Sequence, residues 1–211
     1  MSAAAVLRRE RAALCDTFET VGPDAPTLNE GWLAADLAAH LLVRETRPDA
    51  ALGILLPGPF AKYTERVMQH YEARGFDAMV TALRGGPPWL HRQGPLARAN
   101  VVENWIHHED LRRPRGDGPR DLDEETTAIL WDSLRLSSIV AGRRLHGAGL
   151  TLAAPADDRM RVVRHAEPMV TVTGPVGEIV LFMSGRKEAA DVVLDGPPEG
   201  IAIVRAARFG L

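Results

Sequence analysis

A single cysteine, Cys15, leaves this 211-residue chain no internal disulfide and no multi-cysteine zinc site, so a disulfide-scaffolded secreted fold is excluded. A reaction that needs a thiol would have to take it from outside. Long apolar runs are also missing: the stretch 37–43 is interrupted by His40 and falls far short of the ~20 residues that span a bilayer. At the N-terminus Arg8, Arg9, Glu10 and Arg11 stand where a signal peptide carries its apolar segment, and a cytoplasmic location is expected. Charge of one sign is not in excess, since 25 Lys plus Arg against 28 Asp plus Glu leave a formal charge of -3. No positive field recruits nucleic acid or anionic lipid, and neither partner is expected. Lysine itself is scarce, with Lys62 and Lys187 the only two. Internal repeats, a glycine-rich phosphate loop and a Gly-x-Ser-x-Gly elbow are lacking as well.

What is present is an ordinary globular balance, 45% hydrophobic and 25% charged. Its patterning changes once, near residue 147. Upstream the spacing is helical. Leu7, Leu14, Phe18 and Val21 mark a first helix that Gly22 and Pro23 end. A second runs from Asn29 or Trp32 to Glu45, with Thr27 and Glu30 as a capping box and Leu33, Leu37, His40, Leu41 and Arg44 as its inward stripe. After a Pro/Gly-rich connection at 56–59, Phe60, Tyr63, Val67 and Tyr71 form a third stripe, prolonged past Gly75 over 76–83, and a loop follows at 85–88. The spacing then predicts helices over 96–113 and 121–146, the latter with Ile129, Leu130, Leu134, Leu136, Ile139 and Val140 as its apolar stripe. Downstream, period-two or β-branched runs at 150–153, 161–164, 169–173 and 191–194 predict strands, with a helix over 175–184 between the last two. The expected architecture is α+β, a helical bundle over residues 1–148 followed by a small α+β domain over 149–211.

Within the helix 96–113, Glu103 and His107 lie four residues apart and project from one face, a spacing that can hold one divalent ion or simply form a solvated helical pair. Asp110 falls within the same ~60-degree arc. His40 sits on an apolar stripe, where a neutral imidazole must find a partner for its nitrogens. If the bundle sets His40 opposite Glu103 and His107, two imidazoles and a carboxylate make a three-ligand site with an open position, the arrangement of catalytic zinc and non-haem iron. The interval of four favours His107 over His108, while His70, His91, His146 and His165 have no second ligand at a convincing interval. Cys15 reads as a buried, inert thiol near an apolar stripe. Arg112, Arg113, Arg115 and Arg120 read as a solvated linker, or as a patch that attracts an anionic substrate.

The stretch Trp32-Leu33-Ala34-Ala35-Asp36-Leu37-Ala38-Ala39-His40-Leu41, followed about sixty residues on by Glu103-x-x-x-His107-x-x-Asp110, resembles the mycothiol-dependent maleylpyruvate isomerase family of DinB-like metal-binding bundles. Thr173-Gly174-Pro175 through Ser184-Gly185-Arg186 resembles that family's C-terminal α+β domain. The sequence is most similar, through Arg44-Glu45-x-Arg47-Pro48-Asp49 and residues 103–110, to an actinobacterial subgroup described only as metal-binding. The resemblance implies a DinB-like four-helix bundle and a divalent metal on His40, Glu103 and His107, with zinc first and nickel or iron as alternatives. It further implies that Asp110 orients or neutralises the site, and that an arginine of the C-terminal domain acts near it, Arg186 in preference to Arg164 or Arg205. Where the family often has an arginine three residues before its metal-binding glutamate, this chain has Asn100, with Arg98 nearby.

The expected function is a metal-dependent isomerase or S-transferase that uses a mycothiol-like thiol as cosubstrate on a small electrophilic molecule. The alternatives are a hydrolase in which the same three residues activate water through the metal, and a non-catalytic protein that binds a metal or small ligand.

Overall fold

Glycines in the left-handed region, among them Gly22, Gly75 and Gly116, separate elements whose order follows the change of period. The structure is a computed structural model that describes residues 2–50, 58–87 and 95–210. His91, and the parts of the predicted connections at 56–57 and 88, lie outside the described residues. By contacts the described chain divides into two compact units, Met1–Gly118 and Pro119–Leu211. The chain is α+β: among the described residues six α-helices come before the first strand, and two more lie between and after the last strands.

The first unit is helical: α1 Ala3–Val21, α2 Ala34–Thr46, α3 Pro59–Glu72, α4 Phe76–Gly85 and α5 Pro95–Arg112, followed by a short 3-10 turn at Arg113–Arg115. Leu14 and Phe18 of α1, Leu37 and Leu41 of α2, Leu83 of α4 and Leu111 of α5 meet in one buried cluster, with the Phe18 and Phe76 rings edge to face at 5.9 Å. Gly75, at φ +89, separates α3 from α4. The predicted continuation through it is therefore two helices, because a left-handed residue ends the hydrogen-bond ladder.

The second helix starts later than the spacing suggests. Leu33 occupies its cap and is 41% exposed rather than inward, and its backbone N–H donates to Asp36 Oδ2 at 2.8 Å. The expected Thr27/Glu30 cap is not used. Thr27 Oγ1 instead donates to the Trp32 carbonyl at 3.0 Å and accepts from the Asn29 N–H at 3.2 Å, tying residues 27–32 into a loop. A local side-chain bond has outcompeted the helical alternative.

A buried ion pair joins α1 to the C-terminal turn of α2. Arg11 and Glu45, with side chains 4% and 1% exposed, are joined through the two terminal guanidinium nitrogens, and Arg11 Nη1 also donates to the Leu83 carbonyl. Removing one partner strands the other charge in the core. Glu45→Ala should lower the unfolding free energy by about 3–5 kcal/mol in urea denaturation of the full chain. A loss below about 1 kcal/mol would mean that the pair behaves like a surface bridge.

The second unit contains α6 Glu124–Arg144, strands β1 Gly149–Ala154, β2 Arg159–Arg164 and β3 Met169–Thr173, then α7 Val176–Met183, β4 Val193–Asp195 and α8 Pro198–Ala206. Asp123 caps α6 by accepting from the Thr126 N–H at 2.8 Å. The strand order is β2-β1-β3-β4, with β1 and β3 parallel and both outer pairs antiparallel. Alternation puts Leu150, Leu152, Val170 and Val172 on one fully buried face. Gly149 is required at the start of β1, since a Cβ there would lie 2.2 Å from the Ala166 carbonyl oxygen.

In α6 the buried residues include Leu130, Leu134, Ser138 and Ala141, whereas Leu136 and Ile139 are 72% and 53% exposed. The broad stripe expected there narrows because Leu136 lies about 200 degrees around the helix from Leu134. Helix α8 escaped the sequence reading, although Pro198 at its first turn is a starting signal.

Candidate functional site

Helix α2 offers His40 from its inward face, and α5 offers Glu103, His107 and Asp110 from one of its own. The first unit brings these side chains together. The His40 and His107 rings meet edge to face with centroids 5.3 Å apart, and Trp32 closes on the other side of His40 at 5.1 Å. His107 Nε2 lies 3.6 Å from Glu103 Oε2. His40 is buried, yet among the described residues neither of its ring nitrogens makes a hydrogen bond.

Asp110, wholly buried, organises the other side of His107. Its Oδ2 accepts from His107 Nδ1 at 2.9 Å and from Asn29 Nδ2 at 3.1 Å, while its backbone carbonyl accepts from the Leu28 N–H at 3.0 Å. The loop 27–32 therefore holds Asp110 through both side chain and backbone. A carboxylate at Nδ1 sets the proton there and leaves Nε2 to face Glu103.

The electrostatics follow from burial and from these partners. Burial, followed by the neighbouring His107, pushes His40 down to about 3, which keeps it neutral at physiological pH. Glu103 feels burial as an upward push, but the neighbouring His107, 3.6 Å away, and the charge of Arg44 outweigh it and hold the carboxyl at about 2. For His107 the desolvation that would lower it is overcome by Asp110 and Glu103, and the net direction is upward. The cluster thus pairs a neutral imidazole with an ionised carboxylate and an imidazole oriented from behind.

Among the described residues no group of three or more His, Cys, Asp or Glu side chains is arranged as a metal site. The donor types nevertheless fit a divalent ion: the unbonded buried imidazole of His40, the Nε2 of His107 and the partly exposed Glu103 carboxylate are N and O ligands that zinc accepts.

His108 has a different place. Its Nδ1 pairs with Glu10 Oε1 at 2.9 Å and its Nε2 with Thr17 Oγ1 at 2.8 Å, so both nitrogens are engaged with α1. Cys15 is fully buried beside the Val80 carbonyl, and burial raises its thiol to about 11 against the opposing pull of Arg84 and Arg11. His70, His146 and His165 are exposed. Two members of the basic run are not linker residues at all: Arg112 and Arg113 donate to the fully buried Glu109 at 2.8 and 2.5 Å. In the second unit Arg186 donates to the Ser184 carbonyl at 2.9 Å, and Arg164 to the Gly142 carbonyl at 2.8 Å.

Asn29, which spacing marks only as a possible helix start, is a site residue through its bond to Asp110. Spacing also gave Arg44 and Asn100 no joint role, although they meet across the two helices at 2.9 Å.

No protein-family model and no curated protein matches the chain. Among solved structures it is similar to the mycothiol-dependent maleylpyruvate isomerase and to a histidine-to-alanine mutant of that enzyme. Both are 18% identical over 94% of this chain and 92% of the other, with TM-scores of 0.58 and 0.59. The likeness extends over nearly the whole chain and is one of fold.

Proposed function

We propose that the protein is a thiol-dependent isomerase or S-transferase that works on a small electrophilic molecule, with a divalent ion held by His40, Glu103 and His107. The observation that carries this reading is the buried, unbonded His40 imidazole facing a His107 that Asp110 holds by its opposite nitrogen. Such an outer carboxylate typically fixes the tautomer of a ligating histidine. The solved structures similar in fold are of a mycothiol-dependent isomerase, which supports the thiol as cosubstrate.

A divalent ion, zinc first, would supply positive charge that favours the ionised form of an incoming thiol, whose free pKa is about 8.5. The chain's residues do the rest. With the ion bound, His40 and His107 would be its neutral nitrogen donors, Asp110 and Asn29 hold His107 in register, and the Trp32 ring packs edge to face on His40. The thiolate adds to the conjugated carbon of the electrophile, forming an S–C bond as the π pair moves toward the carbonyl. Rotation about the resulting single bond, return of the electron pair and loss of the thiolate complete an isomerisation. Protonation of the adduct instead completes an S-transfer.

We assign Arg186 to the substrate, as a guanidinium that binds a carboxylate. Arg186→Ala should raise KM or lower kcat severalfold while zinc content stays at the wild-type level. Unchanged kinetics would remove Arg186 from the reaction. The same reading makes residues 1–148 a DinB-like four-helix bundle with 149–211 appended, a division by ancestry rather than by contacts. A screen of zinc-loaded protein against small conjugated electrophiles, with and without added thiol, tests the proposal as a whole.

A further inference from the structure

Beside the three proposed ligands stands a donor pair that is only half satisfied. Arg44 follows His40 by one turn of α2, and Asn100 precedes Glu103 by three residues on α5. Arg44 Nη1 donates to Asn100 Oδ1 at 2.9 Å, and its Nε lies 3.4 Å from Glu103 Oε2. A guanidinium offers no acceptor, so this bond fixes the amide: Oδ1 faces Arg44 and Nδ2 is left over.

That amide nitrogen has no partner among the described residues, on a side chain only 3% exposed. Arg44 Nη2 likewise has no hydrogen bond or ion pair among the described residues, and the Arg44 side chain is 23% exposed. A buried amide donor without an acceptor is a standing penalty, rare in folded proteins unless a ligand or water relieves it.

We propose that Arg44 and Asn100 form a carboxylate-recognition subsite that selects anionic electrophiles for the adjoining His40, Glu103 and His107 centre. The inference rests on the reading of that centre as the reaction site. A planar carboxylate presents two oxygens, which one guanidinium edge and one neighbouring amide N–H can take together. A phosphoryl group asks for more cationic donors, and the next arginine along, Arg47, is already engaged with Asp49 and Tyr63. The 3.4 Å separation from Glu103 exceeds a normal N–H···O bond, so that contact does not exhaust Arg44. A divalent ion on Glu103 would weaken the carboxylate's hold on Arg44 further and leave the guanidinium for an incoming anion.

The test measures binding of crotonate and of its neutral amide, crotonamide, to the full chain by ligand-observed NMR titration, with zinc affinity measured in parallel. Wild-type protein should prefer crotonate by about tenfold or more, the effect of one charge-assisted pair. Arg44→Gln should erase that preference and bind zinc as tightly as wild type or more so, because a cation beside Glu103 has been removed. Arg44→Lys and Asn100→Leu, which keep charge or volume, should each reduce the preference roughly three- to tenfold, and they carry the test if Arg44→Gln does not fold.

An unchanged preference in these variants overturns the proposal. So does a parallel loss of zinc, crotonate and crotonamide binding, which would make Arg44 a support for Glu103 and nothing more. If wild-type protein fails to bind zinc but still shows an Arg44-dependent preference for crotonate, the metal reading falls and this subsite stands.

Discussion

Replacing His40 or His107 by alanine is expected to abolish stoichiometric zinc binding while leaving helical content near the wild-type value. Three ligands drawn from two helices make one site, so wild-type protein should hold about one ion per chain. Loss of an outer partner such as Asp110 typically costs roughly 10–100-fold in metal affinity, and loss of a direct ligand should cost more. His40 makes no hydrogen bond among the described residues, so its truncation removes ring packing against Trp32 and His107 and little else from the fold. His108→Ala is the informative contrast. It breaks contacts to Glu10 and Thr17, and should destabilise the chain while zinc stays bound. Metal analysis after dialysis, read beside circular dichroism, checks all three. Full zinc occupancy in both His40→Ala and His107→Ala would eliminate the proposed ligand set.

The helical period exposed the parts of this site that depend on one helix alone. Glu103, His107 and Asp110 share a face because 3.6 residues make a turn, and that much follows from spacing. Residue 108 falls on a different face, turned toward α1, where Glu10 and Thr17 occupy both its nitrogens. What spacing could not show is which residues arrive from elsewhere. Asn29 reaches Asp110 only because residues 27–32 fold into a side-chain-bonded loop, and that loop formed at the expense of the helix start expected there. Arg44 was visible on the inward stripe of α2, but its partner Asn100 is 56 residues away on another helix, a pairing no local pattern encodes. The run at 112–120 misled for a related reason: charge density suggested a solvated segment, whereas Glu109 draws Arg112 and Arg113 into its buried carboxylate. In the sheet, alternation identified β1 and β3 well because their buried faces are continuous, while β4, three residues long and largely exposed, offered too little pattern to bound.

Turnover of a conjugated electrophile by zinc-loaded protein should require an added low-molecular-weight thiol, and Cys15→Ser should retain the full rate. The chain's own thiol is fully buried, and burial holds it near 11. On the order of one molecule in ten thousand would then carry the thiolate at neutral pH, and the thiolate is the nucleophile. A free thiol of pKa about 8.5 is ionised to a few per cent under the same conditions, before any cation favours it further. The added thiol therefore begins with an advantage of roughly a hundredfold or more in nucleophile population, besides being able to reach the site. Rates measured with mycothiol or N-acetylcysteine against thiol-free controls should differ by at least that factor. Equal turnover without thiol would exclude thiol addition and point to metal-activated water, with a hydrolysed product as its signature. Loss of activity in Cys15→Ser, with zinc content and circular dichroism unchanged, would make the buried cysteine the nucleophile and require the core around Val80 to open during the reaction.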